Sequence, residues 1–244
     1  MIPGWLHMVS WIALVAGLIC AIVILVDVIR HPQQMWIMNV VWPTIALFGT
    51  AIALFGYFAY GRLAVREKAR SAIRRGEAPP HKRQTPFAVM VAKGSSHCGS
   101  GCTLGDICAE WLAFAFPAVA AWLGWHTLFA DKIFAVWILD YIFAFAIGVA
   151  FQYFTIKPMR DLSPGVGLVE AVKADFLSLT AWQVGMYAFM ALAHFFLFGS
   201  LLHAKLVVVS PEFWFMMQIA MLAGFATSYP VNWWLLSAGI KEKM

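Results

Sequence analysis

Long apolar runs broken by short polar stretches dominate the chain, and their length is the first informative feature. Crossing the hydrocarbon of a bilayer takes about 20 predominantly apolar residues in a helix. Six stretches reach that length: 5–29, 35–60, 104–125, 133–156, 176–201 and 213–236. The pattern predicts an all-α polytopic membrane protein with six transmembrane helices.

The polar connections set the orientation. The segment 62–93 carries Arg62, Arg66, Lys68, Arg70, Arg74, Arg75, Lys82, Arg83 and Lys93, which the positive-inside rule places in the cytoplasm. Alternation then brings Lys157, Arg160, Lys173, Lys241 and Lys243 to the same side and leaves Arg30, Lys132 and Lys205 opposite. Both termini are thus expected inside (N-in/C-in). The chain divides into an amino-terminal transmembrane hairpin, 1–61, a basic cytoplasmic loop, 62–95, and a four-helix membrane unit, 96–244, opened by a Cys/His segment. Residues 62–75 are read as a continuation of the second helix, broken by Gly76, Pro79 and Pro80. A juxtamembrane cluster of this kind serves as a solvated anchor beside anionic lipid.

Composition agrees with a bilayer as solvent. Hydrophobic residues make up 62% of 244 positions and charged residues 12%, with a mean hydropathy of +0.78. A water-soluble exterior cannot be built from 17 basic and 12 acidic side chains. The net charge of +5 is explained by topology, so nucleic acid is not expected as a partner. Residues 1–8 lack the basic start of a cleavable signal peptide, and the first apolar run is expected to be retained. The expected location is the bacterial cytoplasmic (inner) membrane, multi-pass.

The strongest local signal is 97–111, read as a loop entering a helix. Thr103 and Asp106 have capping-box spacing, which would start the helix there. His97, Cys98 and Cys102 would then lie in a pliable loop, with Cys108 one turn inside the helix. Thiolates and an imidazole suit Cu(I), zinc or iron–sulfur chemistry; the plain alternative is small residues packing closely. Three of the four cysteines lie on the side where thiols stay reduced.

Placed by depth, further donors form a ladder. Met186, Met190 and His194 share one face of a helix, and Met217 and Met221 form a second MxxxM pair. Thioethers bind Cu(I) without bringing charge into lipid, although methionine is also an ordinary gap-filler. Asp140, Glu110 and His194 are costly inside a membrane and hence functional candidates, and Gln183 sits at the depth of Glu110. Asp140 and His194 are expected at similar depth, able to pair. Trp36 and Trp42 read as an outer aromatic belt, and Gly49, Ala53 and Gly56 as a small-residue face for close packing or a homo-oligomer.

The segment HCGSGCTLGDICAEW at 97–111, with FQYFTIKPMRDL at 151–162, LTAWQVGMY at 179–187 and YPVNWWLLSAGIKEKM at 229–244, resembles a family of bacterial membrane proteins known as domain of unknown function 4396. The resemblance covers about 87–244 and implies the membrane architecture, with no activity to transfer. The MxxxM pairs are also similar to the thioether motif of copper uptake transporters, a chemical analogy only.

The leading expectation is a membrane protein that binds or translocates a soft metal ion, Cu(I) before zinc or haem. Met186, Met190, His194, Met217 and Met221 would pass or hold the ion and His97, Cys98, Cys102 and Cys108 would exchange it on the cytoplasmic side, with a cytoplasmic metal chaperone as a partner and either direction of movement open. A haem held by two of His126, His194 and His203 has no recognisable ligand spacing. The alternatives are a proton- or ion-coupled carrier using Asp140, His194 and Glu110, and a non-catalytic assembly subunit of a membrane complex. No P-loop or GxGxxG is present, so a transport, metal-binding or assembly role is expected before an enzymatic one.

Overall fold

The computed structural model describes residues 2–160 and 163–241, apart from the side chains of 157–160. Lys243 and the side chains of Lys157 and Arg160, all used above for orientation, lie outside what is described. Among the described residues the fold is helical throughout: α1 (Gly4–Arg30), α2 (Met38–Ala59), a 3-10 turn (Gly61–Ala64), α3 (Arg66–Arg74) and α4 (Pro80–Gln84) come first. Then follow α5 (Phe87–Ala115), α6 (Pro117–Trp122), α7 (Lys132–Arg160), α8 (Pro164–Ala191), a π-helical segment (Leu192–Leu201) and α9 (Pro211–Ser237). Four stretches are long and apolar enough to cross a membrane: Gly4–Arg30, Met38–Ala59, Lys132–Ile156 and Pro164–Leu201. This is a membrane protein by the length and composition of its helices.

The second of those stretches is not straight. Thr50 takes φ 43° and ψ −124°, outside any helix, and the chain reverses there. A straight helix would hold the two ends of α2 about 30 Å apart. Instead the rings of Trp42 and Tyr57 meet edge to face at 5.4 Å. The amide of Gln34 donates to Ala64 O at 2.8 Å and that of Arg66 to Pro32 O at 2.8 Å. Asp27 at the end of α1 accepts from Tyr57 Oη at 2.6 Å and lies 3.3 Å from Arg62 Nε. Both ends of α2 therefore sit beside the end of α1, and its tip meets the middle of the bundle, where Leu47 O accepts from Gln218 Nε2 at 2.6 Å. The six straight crossings expected from hydropathy fail here, because an apolar window measures length and is blind to direction. Gly49, Ala53 and Gly56 flank this reversal. Trp36 packs on Phe154, and Trp36 and Trp42 lie at the end of the molecule that carries the basic segment, not on an opposite belt. Nor does the helix run on through residues 62–75, since extended Val65 (ψ 134°) separates the 3-10 turn from α3.

The bundle of α5, α7, α8 and α9 is set by small residues. A Cβ on Gly101 would stand 2.9 Å from Gly148 Cα, and one on Gly105 would collide with the Ala144 backbone. Backbones approach this closely in lipid because dispersion and shape, rather than expulsion of water, bind such helices. The same small residues that suggested a loop at 96–103 thus lie inside a 29-residue helix. Thr103 does not cap it; its hydroxyl donates back to Gly99 O at 2.8 Å. Pro117, which lacks an amide hydrogen, ends α5. Helix α8 begins at Pro164 rather than at 176. Ser210 caps α9 by accepting from Phe213 N at 3.2 Å, with Pro211 in the first turn.

Candidate functional site

One face of α5 presents Cys98, Cys102, Asp106 and Glu110, a side chain every fourth residue and hence about 6 Å apart along the axis. All four are buried. Around them α7, α8 and α9 supply two distinct polar groups.

The first lies at the end of the bundle nearest the basic segment. Cys98 Sγ donates to Asp175 Oδ1 at 2.6 Å and accepts from Ser178 Oγ at 3.1 Å and from Lys241 Nζ at 2.9 Å. The ammonium of Lys241 also donates to Asn232 Oδ1 at 2.8 Å and stands 4.0 Å from Asp175 Oδ1. Asn232 Nδ2 closes the ring by donating to Ser178 Oγ at 2.6 Å. Lys241 and Asp175 side chains are both at 0% exposure, so cation and anion are buried together, as a low-dielectric site requires. On the adjacent face His97 Nε2 pairs with Thr155 Oγ1 at 3.1 Å, while His97 Nδ1 has no partner.

The second group lies two turns farther along α5. Gln183 Nε2 donates to Asp106 Oδ1 at 3.3 Å, and Asp106 Oδ2 is unpaired. Asp140 of α7 is buried, within electrostatic reach of Glu110 and Asp106, and its Oδ1 is unpaired. Lys132 is the one cation that acts on Glu110 among the described residues, and its ammonium is also engaged by Ala113 O at 2.8 Å. Three carboxyl groups thus share an apolar volume with a single partly committed cation, so they need a proton or a cation among them.

The residues singled out from the sequence fall into different places. Asp106, Glu110, Asp140 and Gln183 come together. Asp140 does not pair with His194, which lies in the π-helical segment and bonds Asp131 Oδ2 at 3.2 Å instead; the π-type winding displaces it from the expected helical register. Cys108 is exposed and turns away from Cys98 and Cys102. Among the described residues no three His, Cys, Asp or Glu side chains are grouped so as to hold a metal ion. Met186, Met190, Met217 and Met221 are buried in one core cluster, with Met221 Sδ accepting from Thr103 Oγ1 at 3.6 Å. Met217 and Met221 also line a cavity of about 210 Å³ with Leu14, Leu47 and Thr103.

Three participants escaped the sequence reading. Asp175 fell one residue before the apolar window taken for its helix. Lys241 was counted as a solvated charge, although it lies at 2% exposure. Trp182 is wedged between Gly99 and Gly224, with its ring 5.7 Å from that of Phe48 at the tip of α2. An isolated acid next to an apolar run was the available signal for Asp175; nothing local marks Lys241.

A family model described as a domain of unknown function (DUF4396) matches residues 89–241. The match covers nearly all of α5 to α9 and begins beyond the reversed α2, taking in only Lys93 of the basic segment. No curated protein and no solved structure matches the sequence.

Proposed function

The chain belongs to the DUF4396 family, and we propose that it is a proton-coupled carrier of the bacterial cytoplasmic membrane. Asp106, Glu110 and Asp140 hold the coupling ion, a proton, since they are not grouped so as to ligate a metal cation. The observation that carries this reading is the pair of unpaired buried carboxylate oxygens, Asp106 Oδ2 and Asp140 Oδ1, in a cluster short of positive charge. Buried carboxyls left without a full complement of partners are costly, and carriers use that cost to load and release a proton. The Cys98, Asp175 and Lys241 group, already charge-matched, sits on the same line and closes it toward the basic end.

We propose a matching topology: five crossings by α1, α5, α7, α8 and α9, with α2 a re-entrant hairpin, the amino end outside and the carboxyl end inside. Two observations support it. His7 Nδ1 meets Glu212 Oε1 at 2.7 Å, so the starts of α1 and α9 share one end of the bundle. This arrangement also moves Arg30 to the basic side, leaving only Lys132 and Lys205 of the 17 basic residues outside. A single cysteine introduced at Ile2 should react with a membrane-impermeant maleimide in intact cells; labelling only after lysis overturns the topology.

The carrier reading is tested in proteoliposomes loaded with a pH-sensitive dye and given an inside-negative potassium diffusion potential. The wild type should acidify the lumen, and Asp140→Asn should fall to the rate of protein-free vesicles. Equal rates for wild type and variant overturn the assignment. A soft-metal reading is favoured by one observation, the burial of Met186, Met190, Met217 and Met221 in the same hydrophobic core. Stoichiometric copper by elemental mass spectrometry after Cu(I) challenge, lost in Met190→Leu, would put that reading first, with the methionines as its path and a cytoplasmic chaperone as its partner.

A further inference from the structure

A second polar cavity lies at the basic end, outside the carboxyl cluster. Its volume is about 270 Å³, and its walls include Gln33, Trp36, Trp42, His81, Lys93 and Thr155, with Lys82 at the rim. The walls come from four separate places: the α1–α2 connection and the start of α2, the segment after α2 with α4, the first turns of α5, and the end of α7. Reversal at Thr50 is what assembles them, because it returns the chain after α2 to the α1–α2 connection.

Apart from Thr155, which bonds His97, the polar groups that matter in this cavity are unmatched. Lys93 is buried at 6% exposure and has no hydrogen-bond or ion-pair partner among the described residues. Both amide atoms of Gln33 and Nδ1 of His81 are buried without a hydrogen-bond partner. No carboxylate lines the cavity, while two ammonium groups do. Nearby Arg62 is already committed to Asp27. Burying donors and a cation without partners costs several kcal/mol unless something fills the space. A group that accepts hydrogen bonds and carries negative charge satisfies Lys93 and the Gln33 amide together.

We infer that this cavity is a binding site for a small oxyanion, a phosphate or phosphoryl group held by Lys93, Gln33 and His81. Its volume suits a phosphate with bridging waters. The phosphate is either a free anion from the basic side or the headgroup of an anionic phospholipid entering between α2 and α7. Thr155 lines the cavity and also bonds His97 of α5, on the face adjacent to Cys98. The site rests on its own lining and stands whether or not the carrier reading does.

The test uses the full chain purified in neutral detergent. Thermal unfolding and calorimetric titration are followed with inorganic phosphate, against chloride at matched ionic strength. The wild type should be stabilised by phosphate beyond chloride; Lys93→Met should raise Kd by about tenfold or more, and Lys205→Met, far from the cavity, should leave it unchanged. Where Lys93→Met does not fold, Gln33→Leu and Lys93→Arg take its place, the first weakening binding and the second retaining it. If free phosphate has no effect but nanodiscs with phosphatidylglycerol stabilise the wild type over phosphatidylcholine alone, in a Lys93-dependent way, the anion is a lipid headgroup. No response to either, or an equal response in Lys93→Met, overturns the site.

Discussion

The two polar groups along α5 are built from similar parts and differ in how their charges are settled. Near the basic end, the Asp175 charge is matched by that of Lys241, and Cys98, Ser178 and Asn232 tie the two together, although Asp175 Oδ2 has no hydrogen-bond partner of its own. Two turns away, Asp106, Glu110 and Asp140 crowd together with oxygens left unpaired. The first arrangement locks helices: it ties α5, α8, α9 and the chain end into one buried network, and breaking it exposes the cost of burying charge. The second arrangement has no cation fully committed to it, and this shortfall of positive charge is what the proposed proton coupling rests on. A polar residue inside a membrane is therefore informative through its unmet needs more than through its identity.

The contrast is broken most forcefully at Lys241. Lys241→Met strands the Asp175 carboxyl in a dry site and should cost about 3–5 kcal/mol, read as loss of monodisperse protein in detergent. Adding Asp175→Asn to that chain should recover most of the loss. A single variant as stable as wild type would mean that the network does not lock the bundle. Asp140→Asn should leave thermal stability within about 1 kcal/mol of wild type while abolishing dye-reported proton uptake. Loss of both together would make the carboxyl cluster structural, like its neighbour. Gly99→Ala drives a methyl into the Trp182 ring and should destabilise by about 1–3 kcal/mol; Trp182→Phe in the same chain should relieve part of it, seen in paired unfolding curves.

The smallest effect concerns pH at the basic end. Burial first, then the charges of Lys93 and Lys82, lowers the His81 pKa from 6.5 to about 4. The unfolded segment then holds more protons than the folded one between those values, so docking of α4 weakens as pH falls from about 6.5 toward 4. Limited proteolysis of residues 61–86 should accelerate over that window and not between pH 7 and 8. His81→Phe should flatten the response.

What the sequence disclosed follows from what hydropathy measures. The stretches 5–29, 133–156 and 213–236 match α1, α7 and α9 within a few residues, because apolar length is a one-dimensional property. Glu110 and Asp140 were found by the cost of charge in lipid, which needs no knowledge of packing, whereas Asp106 was taken for part of a helix cap. The reversal at Thr50 was invisible: Gly49 and Thr50 lie inside an unbroken apolar run, and the contacts of Trp42 with Tyr57 that hold it are tertiary. The Gly- and Ser-rich stretch before Thr103 misled in the opposite way, since residues that make a loop in water make a close helix interface in lipid. Lys241 eluded the reading because, beyond Asn232 on its own side of the chain, its partners lie 143 positions away at Cys98 and on α8.

Trp182 has one more consequence. Two absent side chains, at Gly99 and Gly224, form a slot that grips the largest ring in the core from opposite sides, and Phe48 stands against it. The two glycines meet opposite ends of the indole, so the ring acts as a gauge block that sets how near α8 stands to α5 and to α9 at once, and a side chain grown at either glycine has to push a whole helix outward.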